Sequence, residues 1–294
     1  MVSRGSHSML PSVYLLIAAT LWGMFWYPLR LLNESGLPGI WTSLVIYAAP
    51  MIIGGFFIWP YRHEFSRRPL LLLIMGLASG WCNVSFVIAI IEGNVVRVVM
   101  LFYLSPLWTV LLGWIFLRER LSTLSWFVLI LAMAGALTML WDPSIGMPWP
   151  QDRADWLALS SGFGFALANV IVRSMQDISI QVKTMSVWMG VVLVSIIWIV
   201  VMQEEIPDIS TEVLLSSIAL GVFGIILMTV LVQYGVTHMP VYRSAVILLF
   251  EIVIAAVSAE LLTNEVILTR EWIGGMLIIA AALESAYSQM RVKK

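Results

Sequence analysis

The chain is poor in charge: Asp, Glu, Lys and Arg make up only 11% of its 294 residues, and the formal net charge is -1. Soluble domains carry about 25% charged residues. Too few are present to cover a water-facing surface, and no basic field exists to hold a nucleic acid. Cysteine occurs once, as Cys82, which excludes a disulfide framework and a thiolate metal centre. The three histidines, His7, His63 and His238, are too scattered for a metal site. HExxH, GxSxG, a phosphate-cradling glycine loop and a TVGYG filter are all missing. Chemistry on a bound substrate and filter-type conduction lose their usual signatures, and neither a metal nor a cofactor is expected.

What is present is apolar. Residues of that kind reach 61%, and the mean hydropathy is +0.96. A helix needs roughly 20 apolar residues to cross about 30 Å of hydrocarbon. Ten stretches meet that length: 11–32, 38–59, 69–91, 95–116, 123–141, 155–175, 182–202, 212–233, 241–262 and 270–289. The connections between them are short, leaving no room for a soluble domain. Residues 1–9 read as an expression-vector scar or a short cytoplasmic N-terminus, and 290–294 as a cytoplasmic tail.

Cytoplasmic connections retain Lys and Arg. The second connection holds Arg62, Arg67 and Arg68, and the fourth holds Arg118 and Arg120. Arg173 and Lys183 flank the sixth, and Arg291, Lys293 and Lys294 end the chain. The fifth and seventh are acidic, with Asp142, Asp152 and Asp155, then Glu204, Glu205 and Asp208. Both termini are therefore expected in the cytoplasm.

Sliding the sequence on itself by 146 positions sets Arg97 on Arg243, Glu119 on Glu265, Thr123 on Thr269 and Trp126 on Trp272. A slightly shorter offset sets Trp22-Gly23 on Phe163-Gly164. The repeats are 10–146 and 147–289. Five spans per repeat is an odd number, so the second must lie upside down relative to the first. The expected fold is an all-α integral membrane protein of ten transmembrane helices in two inverted five-helix repeats. Transporters of this architecture bind substrate near the midplane, between the repeats.

Several stretches carry a resemblance to a known family. They are Leu21-Trp22-Gly23 with Arg30, Leu104-Ser105-Pro106-Leu107, and Leu117-Arg118-Glu119-Arg120-Leu121. With the repeat, they resemble the ten-helix EamA-domain exporters of the drug/metabolite transporter superfamily. Phe250-Glu251 stands where that family has Glu-Pro, with Ile252 in place of the proline. The run from Val96 to Trp108 is similar to bacterial aromatic amino-acid exporters of the YddG type. The resemblance implies an exporter in the bacterial inner membrane that moves small metabolites, aromatic amino acids first, from cytoplasm to periplasm by alternating access. Its partners would be the small-molecule substrate and the lipid bilayer, and a monomer would suffice.

Ionisable and polar groups inside hydrocarbon are costly and need a reason to be there. Glu251 is the one carboxylate near the middle of a span and would pair with a proton or a substrate ammonium. Arg97 and Arg243, repeat mates, would attract carboxylates at the two mouths. Trp22, Trp26, Asn83, Tyr103, Trp108, Asn169 and Tyr234 are the other candidate pathway groups, suited to stack on a ring and hydrogen-bond its substituents. Other tryptophans, among them Trp59 and Trp141, fit interfacial belts. Pro106 should kink the fourth span. Gly76 and Gly80, and the small residues of the fifth and tenth spans, suit close helix packing. Rival readings are an exporter of cationic drugs or nucleoside-like compounds, with or without proton coupling, and a non-transporting membrane protein.

Overall fold

Residues 9–141, 149–263 and 267–291 are described in the computed structural model. Asp142, Glu265, Lys293, Lys294 and nearly all of the 1–9 segment lie outside them.

Among the described residues, ten helical spans follow one another. The first is broken into α1 (Leu10–Met24) and α2 (Trp26–Glu34), and the second is α3 (Gly39–Phe57). A short 3₁₀ segment, Trp59–Ser66, leads to α4 (Pro69–Glu92). The fourth span is α5 (Val95–Phe102) with α6 (Ser105–Leu117), and the fifth is α7 (Thr123–Leu140). Next come α8 (Arg153–Ser174) and α9 (Ile180–Met202). The eighth span runs from α10 (Thr211–Ala219) through a π-helical turn, Leu220–Ile225, into α11 (Ile226–His238). The ninth is α12 (Val241–Leu248) with α13 (Phe250–Leu262), and the tenth is α14 (Thr269–Arg291). Among the described residues the first nine are long and apolar enough to cross a membrane. The tenth, α14, is 23 residues long and more polar at its C-terminal end. The chain is a multi-pass membrane protein.

Side chains fix where these helices start. Asn94, Ser122, Asp152, Ser179 and Ser210 each accept a hydrogen bond from the backbone N–H three residues on. Each cap satisfies one of the donors that a helix start leaves open.

The breaks carry the repeat. α5 and α12 are related by the 146-residue offset at both ends, as are the starts of α7 and α14. Pro106 falls in the first turn of α6, where a missing N–H costs nothing. The ninth span breaks at Leu249 without a proline. Leu249 N–H donates to Val246 O at 3.2 Å and Ile252 N–H to Leu249 O at 3.1 Å, so tighter 3₁₀-type bonds replace the α-helical ladder there.

Packing follows the same approximate two-fold. α4 lies on α8 and α9, while α1 lies on α11, α12 and α13; α3 crosses α9, and α7 runs along α14. Lipid supplies no hydrophobic drive between helices, so close van der Waals contact has to. Gly76 and Gly190 meet backbone to backbone, and a Cβ on either would run into the other helix. Gly135 and Gly274 do the same between α7 and α14; a Cβ on Gly135 would lie 2.7 Å from Gly274 O.

Candidate functional site: a cavity between the repeats

The helix breaks open a central cavity of about 230 Å³, lined from both repeats. Five of the candidate pathway residues, Trp22, Asn83, Tyr103, Asn169 and Glu251, line it. So do Ser105 and Pro106 from the start of α6. Tyr47, Phe86, Phe102 and Phe165 extend the aromatic wall. Phe102 is central to it, 4.9 Å from Phe86, 5.2 Å from Tyr103 and 5.7 Å from Phe165 between ring centroids. Trp22 stands edge-on to Phe25 at 5.3 Å.

Polar groups punctuate this wall. Asn169 and Gln233 are more than nine-tenths buried, and among the described residues Gln233 Oε1 and Asn83 Oδ1 have no hydrogen-bond partner. The Thr229 hydroxyl is already engaged, accepting from Trp188 Nε1 at 3.1 Å and donating to Ile225 O. The Tyr103 hydroxyl faces the Glu251 carboxyl across the break, from the fourth span to the ninth. Gly23 of α1 backs Glu251: a Cβ there would sit 2.6 Å from Glu251 O. The backbone of Glu251 is thus held against α1, while its carboxyl meets Tyr103 at the break between α5 and α6.

The other three candidates lie outside the cavity. Trp26 Nε1 donates to Ser258 Oγ at 2.9 Å and ties α2 to α13. Trp108 packs edge-on against Phe163 at 5.6 Å, between α6 and α8. Tyr234 is stacked on His238 at 4.2 Å and tilted against Tyr14 at 4.7 Å.

Arg97 and Arg243, expected at the mouths, do not line the cavity. Arg97 is buried, with Nε 2.7 Å from Asp155 Oδ2 and Nη2 donating to Trp149 O. Asp155 also accepts from Gln151 N–H at 2.8 Å, so this ion pair joins the repeats on the face of the odd-numbered connections. Arg243 points away, into a small recess with Ser122, Ser125, Tyr242 and Ser285, because α12 gives its opposite side, Ala245, Leu248 and Leu249, to the cavity.

A second polar cluster joins the repeats on the other face. Glu119 Oε1 accepts from Arg173 Nε at 3.2 Å, and Oε2 from Val241 N–H at 2.9 Å. Arg173 Nη1 donates to Thr237 O at 2.7 Å. Lys183 is fully buried, its Nζ donating to Val172 O and Thr237 Oγ1, both at 3.0 Å. At the neighbouring surface Asp177 pairs with Arg68 at 3.2 Å; its own backbone N–H and that guanidinium hold its carboxyl below the usual range.

The residues that spacing did not single out are Tyr47, Ser79, Phe102 and Phe165. Ser79, Asn83 and Phe86 share one face of α4, and Phe165, Asn169 and Val172 one face of α8, by the i, i+4, i+7 rule. That signal was present in the sequence for α4 and α8. Across the breaks it fails, since α5 and α6, like α12 and α13, do not continue one helical phase.

A cavity at the junction of two inverted five-span bundles, with a polar clasp on each face, defines the chain as a membrane carrier of the inverted-repeat kind. The chain belongs to the EamA-like transporter family, whose pattern it matches twice, over residues 9–141 and 152–285. It is 26% identical over 160 residues to a Pseudomonas aeruginosa protein described as an uncharacterized transporter, which is 51% of this chain and 50% of that protein. It is 28% identical over 86 residues to the Escherichia coli protein RarD, 28% of this chain and 29% of that one. The matched stretch thus spans about half the length of the first relative and less of the second. A solved structure titled only "Crystal structure of protein" shares the fold, with a TM-score of 0.76 at 15% identity, over 97% of this chain and 99% of that one.

Proposed function

We propose that this transporter exports small ring-bearing metabolites with an amine, the chemistry shared by aromatic amino acids and aromatic cations, from cytoplasm to periplasm across the bacterial inner membrane. The observation that carries the reading is the cavity itself, aromatic-walled, with the Glu251 carboxyl where the two repeats meet. Its volume of about 230 Å³ falls below the about 300 Å³ at which pockets for drug-sized ligands begin, which favours a small metabolite over a bulky drug.

The architecture supports a reading of alternating access. Two similar bundles in opposite orientation have two nearly equivalent packings, one open to each side. The Arg97–Asp155 pair ties the repeats together on one face and the Glu119–Arg173–Thr237 cluster does so on the other; in this reading, opening a face parts its clasp. The positive connections 2, 4 and 6 favour a cytoplasmic location for the Glu119 face. Counterflow into proteoliposomes tests the proposal: vesicles loaded with unlabelled phenylalanine or phenethylamine should accumulate the labelled compound above equilibrium. Uptake no faster than in protein-free vesicles, for every ring-bearing amine tried, would overturn it.

A further inference from the structure

We infer that the solute bound in the central cavity carries an aromatic ring and a protonated amine but no free carboxylate: an aromatic amine, or an amino-acid derivative whose carboxyl is capped as an amide or ester. This deepens the transport reading and rests on it.

Charge around the cavity is one-sided. Among the described residues its lining holds one acidic group, Glu251, and no Arg, Lys or His. The embedded cations nearby are committed elsewhere. Arg97 is held by Asp155 and Trp149 O, Arg173 by Glu119 and Thr237 O, and Lys183 by Val172 O and Thr237 Oγ1. Arg243 lies on the far side of α12. An amine entering beside Glu251 meets the acidic group of the lining as its partner, whereas a zwitterion also brings a carboxylate for which the lining offers no cation. In surroundings of low dielectric that second arrangement is strongly disfavoured.

Helix N-termini can also hold a carboxylate, and broken helices in carriers use them so. Two helices start at this cavity, and each start carries a feature that disfavours an anion. α13 has Glu251 itself in its first turn. In α6 the second residue, Pro106, has no N–H, and the Leu107 N–H donates to Leu104 O at 3.0 Å. What remains for the rest of the solute is neutral: the amides of Asn83, Asn169 and Gln233 and the aromatic faces. Those amides suit a carboxamide, an ester or a hydroxyl.

Four related probes separate the possibilities on the purified full-length protein by isothermal titration: L-phenylalaninamide, phenethylamine, L-phenylalanine and 3-phenylpropionate. The amide and the amine should bind at least tenfold more tightly than L-phenylalanine, and 3-phenylpropionate should not bind. In Glu251→Gln the advantage of the two cations over L-phenylalanine should fall below threefold. The comparison on the unaltered protein stands even if that variant fails to fold. L-phenylalanine binding as tightly as its amide, any measurable affinity for 3-phenylpropionate, or no binding of any of the four would overturn the inference. Counterflow of the same probes keeps the two readings apart. Binding in the expected order without exchange sinks transport and spares the assignment; exchange led by L-phenylalanine does the reverse.

Discussion

The Arg97–Asp155 pair sets the terms at the scale of the residue, because its two side chains are 8% and 1% exposed. Such a pair contributes little relative to an apolar replacement of both partners, but breaking it strands a charge and costs about 3–5 kcal/mol. Arg97→Ala and Asp155→Ala should each lower the thermal unfolding midpoint in detergent substantially, while the double variant should cost clearly less than their sum. Additive losses would mean that the pair is not a unit. Sequence singled out Arg97 by its depth and its mate Arg243, yet it could not show that Asp155 supplies the partner, 58 positions away on another span. Glu251 was legible because a lone carboxylate in mid-span has few explanations. Trp26, Trp108 and Tyr234 were not separable from the cavity aromatics, since a tryptophan or tyrosine on a lipid-embedded helix packs equally well against a neighbour, and only the crossing of helices decides which does.

At the scale of the element, span number and repeat were readable from hydropathy and the 146-residue offset, both of which survive averaging along a helix. The breaks were only half readable. Pro106 announces one, but the break at Leu249 has no sequence mark, because 3₁₀-type bonds suffice to make it. Beside that break Ile247 is fully buried and Ile254 lies against Gly23, so neither lines the cavity although both lie within a turn of Glu251. The glycine crossings give a cleaner test. Gly190→Leu pushes a side chain into the Gly76 backbone and should cost about 3 kcal/mol or more, read as loss of folded protein after extraction. Gly55→Leu, where nothing lies within 4 Å, should be tolerated. Equal behaviour of the two variants would remove close backbone contact between α4 and α9 from the account.

At the scale of the whole molecule, the inverted halves, the cavity at their junction and the clasp on each face combine into one claim: the same binding locus opens to either side of the membrane in turn. Cys82, the only cysteine in the chain, lines that cavity and so reports on it without any substitution. The direct measurement is modification of Cys82 by a membrane-impermeant thiosulfonate added to sealed vesicles, first of one orientation and then of the other. Labelling from both faces, slowed in each case by phenethylamine, is the outcome that alternating access predicts. Labelling from one face alone, however long the exposure, would contradict it.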